Sequence, residues 1–293
     1  MRRLPVVSLL AATLMAACTP EQAATPTPEE PTMSSSPTSE APEPSPLERA
    51  VADGDRDRVR VLLARGASVG TADAGARGDL ADLLSAARDV TPSERGDAAD
   101  DRRLLRAARQ GDADVATLAL RAGARTETRD DHERTPLLLA STFDRVAVAR
   151  LLVALGADPD ALDDRHDTPW LVTGVTGSVA MLEALLPADP DLTIRNRYGG
   201  ISVIPASERG HVAYVRRVVR TGIDVNHVND LGWTALLEAV ILGDGSAPYQ
   251  EIVLTLLDAG ADPAIADGDG VTALQHAESK GQAEVARILR REG

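Results

Sequence analysis

A short motif returns along this 293-residue chain at a fixed interval. Thr135-Pro136-Leu137, Thr168-Pro169-Trp170, a worn copy at Ile201-Ser202-Val203, and Thr234-Ala235-Leu236 follow one another in steps of 33 residues. A fifth copy, Thr272-Ala273-Leu274, comes after 38, and the extra length falls at Gly243-Asp244-Gly245-Ser246-Ala247-Pro248, which reads as a loop insertion. A period in this range marks stacked supersecondary units, none of which can bury its apolar face alone.

Each unit has a physical reading. Thr135 caps a helix by accepting from its free amides, and Pro136 takes the first helical position, where no amide hydrogen is needed. Gly177, Gly210, Gly243 and Gly281, nine residues after each Thr position, suit a left-handed helix end. A second apolar pattern follows, as in Val146, Val148, Leu151 and Leu152 or Val179, Leu182, Leu185 and Leu186, with the spacing of one buried helix face. Gly123, Gly156, Gly222 and Gly260 then close the unit. The unit is helix, turn, helix, finger.

These residues resemble the ankyrin repeat family, whose signature combines Thr-Pro-Leu-His-x-Ala with a Gly-Ala-Asp-type finger, here Gly156-Ala157-Asp158 and Gly260-Ala261-Asp262. The resemblance implies an all-α solenoid over 47–293. Seven units are readable, including one that starts at Ser45-Pro46-Leu47 and one whose register passes through Arg102 and Ala107. A degenerate unit occupies 68–101, with a second helix near Gly78–Leu84 and a polar loop from Val90 to Asp100. The family histidine is replaced by Leu138, Leu171, Ile204, Leu237 and Gln275, which predicts apolar packing in place of the usual polar network. At the finger-turn glycine position stand Glu133 and His166, where a positive φ is costly, so those two fingers are expected to differ locally.

The N-terminus carries a second signal. Arg2-Arg3 precede an apolar run from Leu4 to Ala17, too short to span a bilayer and of signal-peptide length, and Ala16-Ala17 lead to Cys18, the only cysteine. This resembles the lipobox of a bacterial lipoprotein, with Met15 where that family prefers Leu, Val or Ile. It implies a signal peptide over 1–17, a diacylated Cys18 as mature N-terminus, and anchoring to the outer face of the cytoplasmic membrane or to another envelope membrane. Simple secretion with cleavage near Ala17 and an uncleaved anchor are the alternatives; the Arg pair lacks the flanking pattern of a twin-arginine signal. Acylation also removes a lone thiol that could form no internal disulfide. From Thr19 to Pro46 run 28 residues with eight prolines, five glutamates and no basic residue. Such a composition cannot bury enough apolar surface to fold. Residues 18–46 therefore read as a lipidated cysteine on a disordered tether, with a reach of up to about 85 Å in polyproline II.

Formal charge is −14, and without Arg2 and Arg3 the remainder carries 29 basic against 45 acidic side chains. No basic footprint for nucleic acid is visible, nor one for anionic lipid beyond the acyl anchor. The compatible partner is another protein with a basic or mixed-charge patch, met by a monomer. The family presents its finger tips and first-helix face to partners, which nominates Asp131, His132, Arg134, Asp164, Arg165, His166, Arg197, Tyr198, Leu231, Trp233 and Asp269. Asp130, Asp163, Asn196, Asn229 and Asp267, five before each Thr position, read as structural residues that bond turn amides. Trp170 reads as core. The five histidines show no metal-ligand spacing, and there is no phosphate loop or nucleophile elbow, so no catalytic residue, metal or cofactor is nominated. The expected function is an adaptor or scaffold at the bacterial envelope; an inhibitor or immunity-type lipoprotein that neutralises a toxin or hydrolase is the alternative.

Overall fold

The computed structural model describes residues 43–292, which fold as fifteen α-helices with three short 3-10 segments and no strand among the described residues. The expected leader, Cys18 and the tether up to residue 42 lie outside the described residues. Six helix pairs form the stack: α4 (Ala98–Gln110) with α5 (Ala113–Arg121), α6 (Pro136–Thr142) with α7 (Val146–Ala154), α8 (Leu171–Thr176) with α9 (Val179–Leu185), α10 (Val203–Glu208) with α11 (Val212–Val218), α12 (Ala235–Ile241) with α13 (Ala247–Asp258), and α14 (Ala273–Ser279) with α15 (Ala283–Glu292). The first member of each pair packs on its neighbours in an inner row and the second in an outer row. One hydrophobic cluster runs between the rows from Leu104 to Leu289, with Trp170 and Tyr214 fully buried in it.

The local chemistry is what the repeat requires. Thr135, Thr168 and Thr234 are buried, and their hydroxyls accept from the amides of Leu138, Leu171 and Leu237 at 3.2, 3.1 and 3.2 Å. Such a cap contributes about 1 kcal/mol. The worn copy loses it: the Ser202 side chain makes no cap bond to α10. Gly177, Gly210 and Gly281 take the left-handed helix end, whereas Gly243 does not; the left-handed residue there is Gly245 inside the insertion, with φ +75°. Gly243 is needed for closeness instead, because a Cβ would lie 2.1 Å from the Ala239 carbonyl oxygen and 2.5 Å from the Tyr249 ring.

Leu138, Leu171, Ile204 and Leu237 are buried, so apolar packing does replace the histidine position. Polar coupling between units has moved to the carbonyl ends of the inner helices. At each of four steps a side chain from the following unit reaches them: Arg145 Nε donates to Arg109 O at 3.1 Å, His211 Nε2 lies 3.2 Å from Val175 O, and Tyr249 Oη donates to Glu208 O at 3.0 Å. Gln282 Nε2 reaches Val240 O and Gly243 O at 3.1 and 3.0 Å, joined there by the ammonium of Lys280, the sole lysine. Donors and cations favour a helix C-terminus, where unpaired carbonyls concentrate negative potential.

The N-terminal part departs from expectation. α1 (Pro46–Ala52) begins where the Ser45 capping box starts it, α2 (Arg56–Ala64) follows, and α3 (Asp79–Asp89) is preceded only by a 3-10 turn, Ala72–Gly75. They share a second cluster around Leu47, Leu63 and Leu84. Rather than extending the stack, α2 contacts both α5 and α7 and so lies against the outer row. The degenerate unit explains this: without a first helix of its own, it leaves no inner-row member between α1 and α4. Arg56 and Arg60 bridge Asp114 at 2.6 and 2.8 Å, and Arg65 Nη2 donates to Ala154 O at 2.8 Å.

Arg121, only 4% exposed, is the centre of this attachment. Its guanidinium donates to Leu63 O, Ala67 O, Ala87 O and Val90 O at 2.8–3.0 Å. No carboxylate accompanies it, and burial alone lowers its pKa. The last turns of α2 and α3 supply the negative potential. The polar loop expected from Val90 to Asp100 is shorter than read, because Asp97 caps α4 at Ala98 through a capping box. Asp101 is then buried within α4 and holds the Arg125 backbone amide at 2.8 Å and its guanidinium at 2.6 Å.

Candidate functional site

Five fingers project beyond the inner helices, and all close in the same way. Oδ1 of Asp130, Asp163, Asn196, Asn229 and Asp267 each accepts from two backbone amides, two and four residues ahead, at 2.9–3.0 Å. The ladder is structural, as its spacing suggests. Glu133 and His166 adopt φ of 58° and 60°, matching Gly199, Gly232 and Gly270, so the two fingers expected to differ keep the common turn. The Asx bonds, with Glu133 N to Asp130 O and His166 N to Asp163 O, hold those residues in the strained region. Neighbouring fingers are stitched by Asp164 N to His132 O at 3.2 Å and Asp230 N to Tyr198 O at 3.0 Å.

Between the fingers and the inner helices lies a groove of about 620 Å³. It brings together His132, Arg134, Asp164, Arg165, Arg197, Tyr198, Leu231 and Trp233 of the nominated residues. Asp131, His166 and Asp269 are exposed on finger tips and do not line it. Trp233 is half-buried against the core, while Tyr198 and Leu231 are 56% and 59% exposed. Arg197 stacks 4.5 Å from the Tyr198 ring centre, which holds that ring in place over the groove.

The groove's inner wall was not nominated from sequence. Val175 and Leu242, 41% and 49% exposed, supply apolar surface there, and Glu208 and Glu238 supply charge. Glu238 is 5% exposed and accepts from Asn229 Nδ2 at 2.9 Å. Burial, and the Glu208 charge next to it, push its carboxyl up to about 7 against that hydrogen bond. The 33-residue register held a usable signal, because Glu238 shares a place with Val172 and Pro205, and Glu208 with Val175. Among the described residues no group of three or more His, Cys, Asp or Glu could hold a metal ion. His132 Nδ1 has one carboxylate, Asp164, at 3.2 Å, and His276 Nε2 one, Asp267, at 2.7 Å. The arrangement offers recognition surface: aromatic and aliphatic side chains that packing leaves uncovered, with polar groups on fixed backbone.

Comparison with known proteins agrees with this geometry. The family model for ankyrin repeats in three copies matches residues 173–267 and 206–293, and the single ankyrin repeat model matches 132–164. The ankyrin repeat protein YahD of Escherichia coli K12 is 38% identical over 186 residues, which cover 63% of this chain and 92% of YahD. An ankyrin repeat domain from Acinetobacter baumannii AYE superposes with a TM-score of 0.63 at 44% identity, covering 65% of this chain and 97% of that one. The ankyrin repeat domain of Bcl-3, an IkappaB family member, superposes with a TM-score of 0.59 at 29% identity over 68% of this chain and 87% of its own. Period, finger closure and these likenesses converge, and the chain belongs to the ankyrin repeat family, whose repeats serve as protein–protein interaction modules.

Proposed function

We propose that this protein is an exported, lipid-anchored adaptor of the bacterial cell envelope, which binds another protein in the groove between its fingers and inner helices. The observation that carries the reading is the placement of Tyr198, Leu231, Val175 and Leu242, four exposed large apolar side chains, along one groove. Clustered exposed apolar surface marks an interaction site in a way that scattered residues do not. A rigid stack also lowers the ordering cost of association. Arg2-Arg3, the apolar run and Ala16-Ala17-Cys18 support export and acylation, and the proline-rich stretch after Cys18 supports a spacer between lipid and repeats. No helix among the described residues is long and apolar enough to cross a membrane, so attachment is assigned to the lipid. An inhibitory role against a basic toxin or hydrolase is the second reading, favoured by the uncompensated carboxyls on the groove wall.

Two measurements test it. Cys18→Ser should move the protein from the detergent phase to the aqueous phase after phase separation. Tyr198→Ser with Leu231→Ser should abolish co-purification of the envelope partner while leaving the thermal midpoint unchanged. Retention of the partner by that double variant would refute the groove as its binding surface.

A further inference from the structure

The inner wall of the groove carries charge that nothing in the chain answers. Along the finger rim, acid and base are matched: Arg134 bridges Asp130 at 2.7 Å, Arg197 lies 3.6 Å from Asp167, and His132 lies 3.2 Å from Asp164. On the wall, no arginine or lysine among the described residues bridges Glu238, although it is 95% buried within the groove lining. The charged group facing it from α10 is Glu208, whose own contact, Arg209, sits at the 4.0 Å limit of a bridge. From the finger it meets the neutral Asn229. The bases of α14 are engaged elsewhere, His276 with Asp267 and Lys280 with carbonyls at the end of α12. On α13, Glu251 is paired with Arg216.

The surroundings of this pair define what would satisfy it. Leu242 lies one turn beyond Glu238 on the same face, and Val175 holds in α8 the register place that Glu208 holds in α10. The carboxyls are thus bordered on both sides by exposed aliphatic surface. A free ion would leave that surface wet, whereas a cation on an aliphatic stem covers it and delivers its charge together. We propose that the groove takes a segment of a partner protein that sets a lysine or arginine against Glu238 and Glu208, with aliphatic residues on either side packed on Val175 and Leu242. The inference rests on the groove being the partner surface, as proposed above, and deepens that reading by naming the chemistry of its occupant. An incoming cation favours ionised Glu238, so binding near neutral pH releases a proton and weakens as the pH falls.

The test uses the full chain and three fluorescein-labelled dodecapeptide pools. Each is randomised over Leu, Val, Ala, Ser and Thr around a central residue fixed as lysine, norleucine or glutamate. The lysine pool should bind about tenfold more tightly than the norleucine pool at pH 8, and the glutamate pool most weakly. The lysine advantage should shrink to about twofold at pH 5.5. It should vanish in Glu208→Gln with Glu238→Gln, while norleucine binding persists. Equal binding of lysine and norleucine at pH 8, or a lysine advantage that survives the double variant, overturns the inference. If all pools bind equally and Tyr198→Ser with Leu231→Ser abolishes them, the groove stands and only the cation assignment falls. If no pool binds, or binding ignores that variant, both fall.

Discussion

Replacing Arg121 by methionine should detach the N-terminal helices and leave the six-pair stack intact. Methionine keeps most of the apolar stem and removes the four donors that reach Leu63, Ala67, Ala87 and Val90. A hydrogen bond to a charged group contributes about 1.5–3 kcal/mol, so four give a gross loss of about 6–12 kcal/mol. Against this stands relief of a desolvated guanidinium, several kcal/mol, and the net loss on breaking such a buried arrangement is about 3–5 kcal/mol. The loss should be local, because Leu47, Leu63 and Leu84 belong to a different hydrophobic cluster from the one that runs along the stack. At about 1.4 kcal/mol per factor of ten, a loss near 4 kcal/mol makes opening roughly a thousandfold more frequent. Hydrogen exchange followed by mass spectrometry reads this directly. Peptides spanning residues 46–90 should lose protection by that factor, and those spanning 200–290 should keep theirs. Arg121→Lys, with three donors on a single ammonium, should lose less. Unchanged protection over 46–90, or an equal loss along the whole chain, would refute the clamp.

Other outcomes are equally specific. Glu133→Gly and His166→Gly should each raise the urea midpoint, with a net gain of about 0.5–1 kcal/mol, because relief of a left-handed backbone exceeds the added freedom of the unfolded chain. Gly174→Ala should lower the thermal midpoint, since a Cβ would lie 1.9 Å from the Ser202 carbonyl oxygen on the next unit; separating α8 from α10 costs about 1–3 kcal/mol. Glu238 has a carboxyl pushed from 4.5 to about 7 in the folded protein, so between those values the folded state holds the proton more often than the unfolded one. Stability from this group is full below 4.5 and is lost as the pH rises through 7. Glu238→Gln should therefore be more stabilising at pH 8 than at pH 5, by up to about 3 kcal/mol in urea titrations. No difference between the two pH values would show that Glu238 ionises as freely as in the unfolded chain.

The parts of the fold set by neighbours in sequence were legible, and those set by neighbours in space were not. Thr135, Thr234 and the Asp and Asn ladder each act on amides within four residues, so their spacing alone exposed helix starts and finger turns. Ser45 and Gly54 mark the first unit just as clearly, yet those marks say nothing about where the unit packs. Its place against α5 and α7 depends on a missing helix elsewhere and on Arg121, which looks in sequence like an ordinary last-turn arginine. Glu133 and His166 misled for a related reason: strain judged one residue at a time ignores the bonds that enforce the turn. At the site, Tyr198 and Leu231 stood out because they sit in polar fingers. Glu208 and Glu238 were hidden inside apolar helices, and their exposure to the groove emerged only from the curvature of the inner row.

The fingers separate scaffold from message. Closure is performed by the Asp or Asn that opens each turn and the threonine or serine that starts the next helix, while the first tip residue contributes at most its main-chain amide. Side chains at 131 and 132, 164 and 165, 197 and 198, 230 and 231, and 268 and 269 can therefore be exchanged in lineages or by design with little penalty to the architecture, proline excepted. Ten adjustable letters on an invariant frame let such a chain acquire a new target faster than it could acquire a new shape.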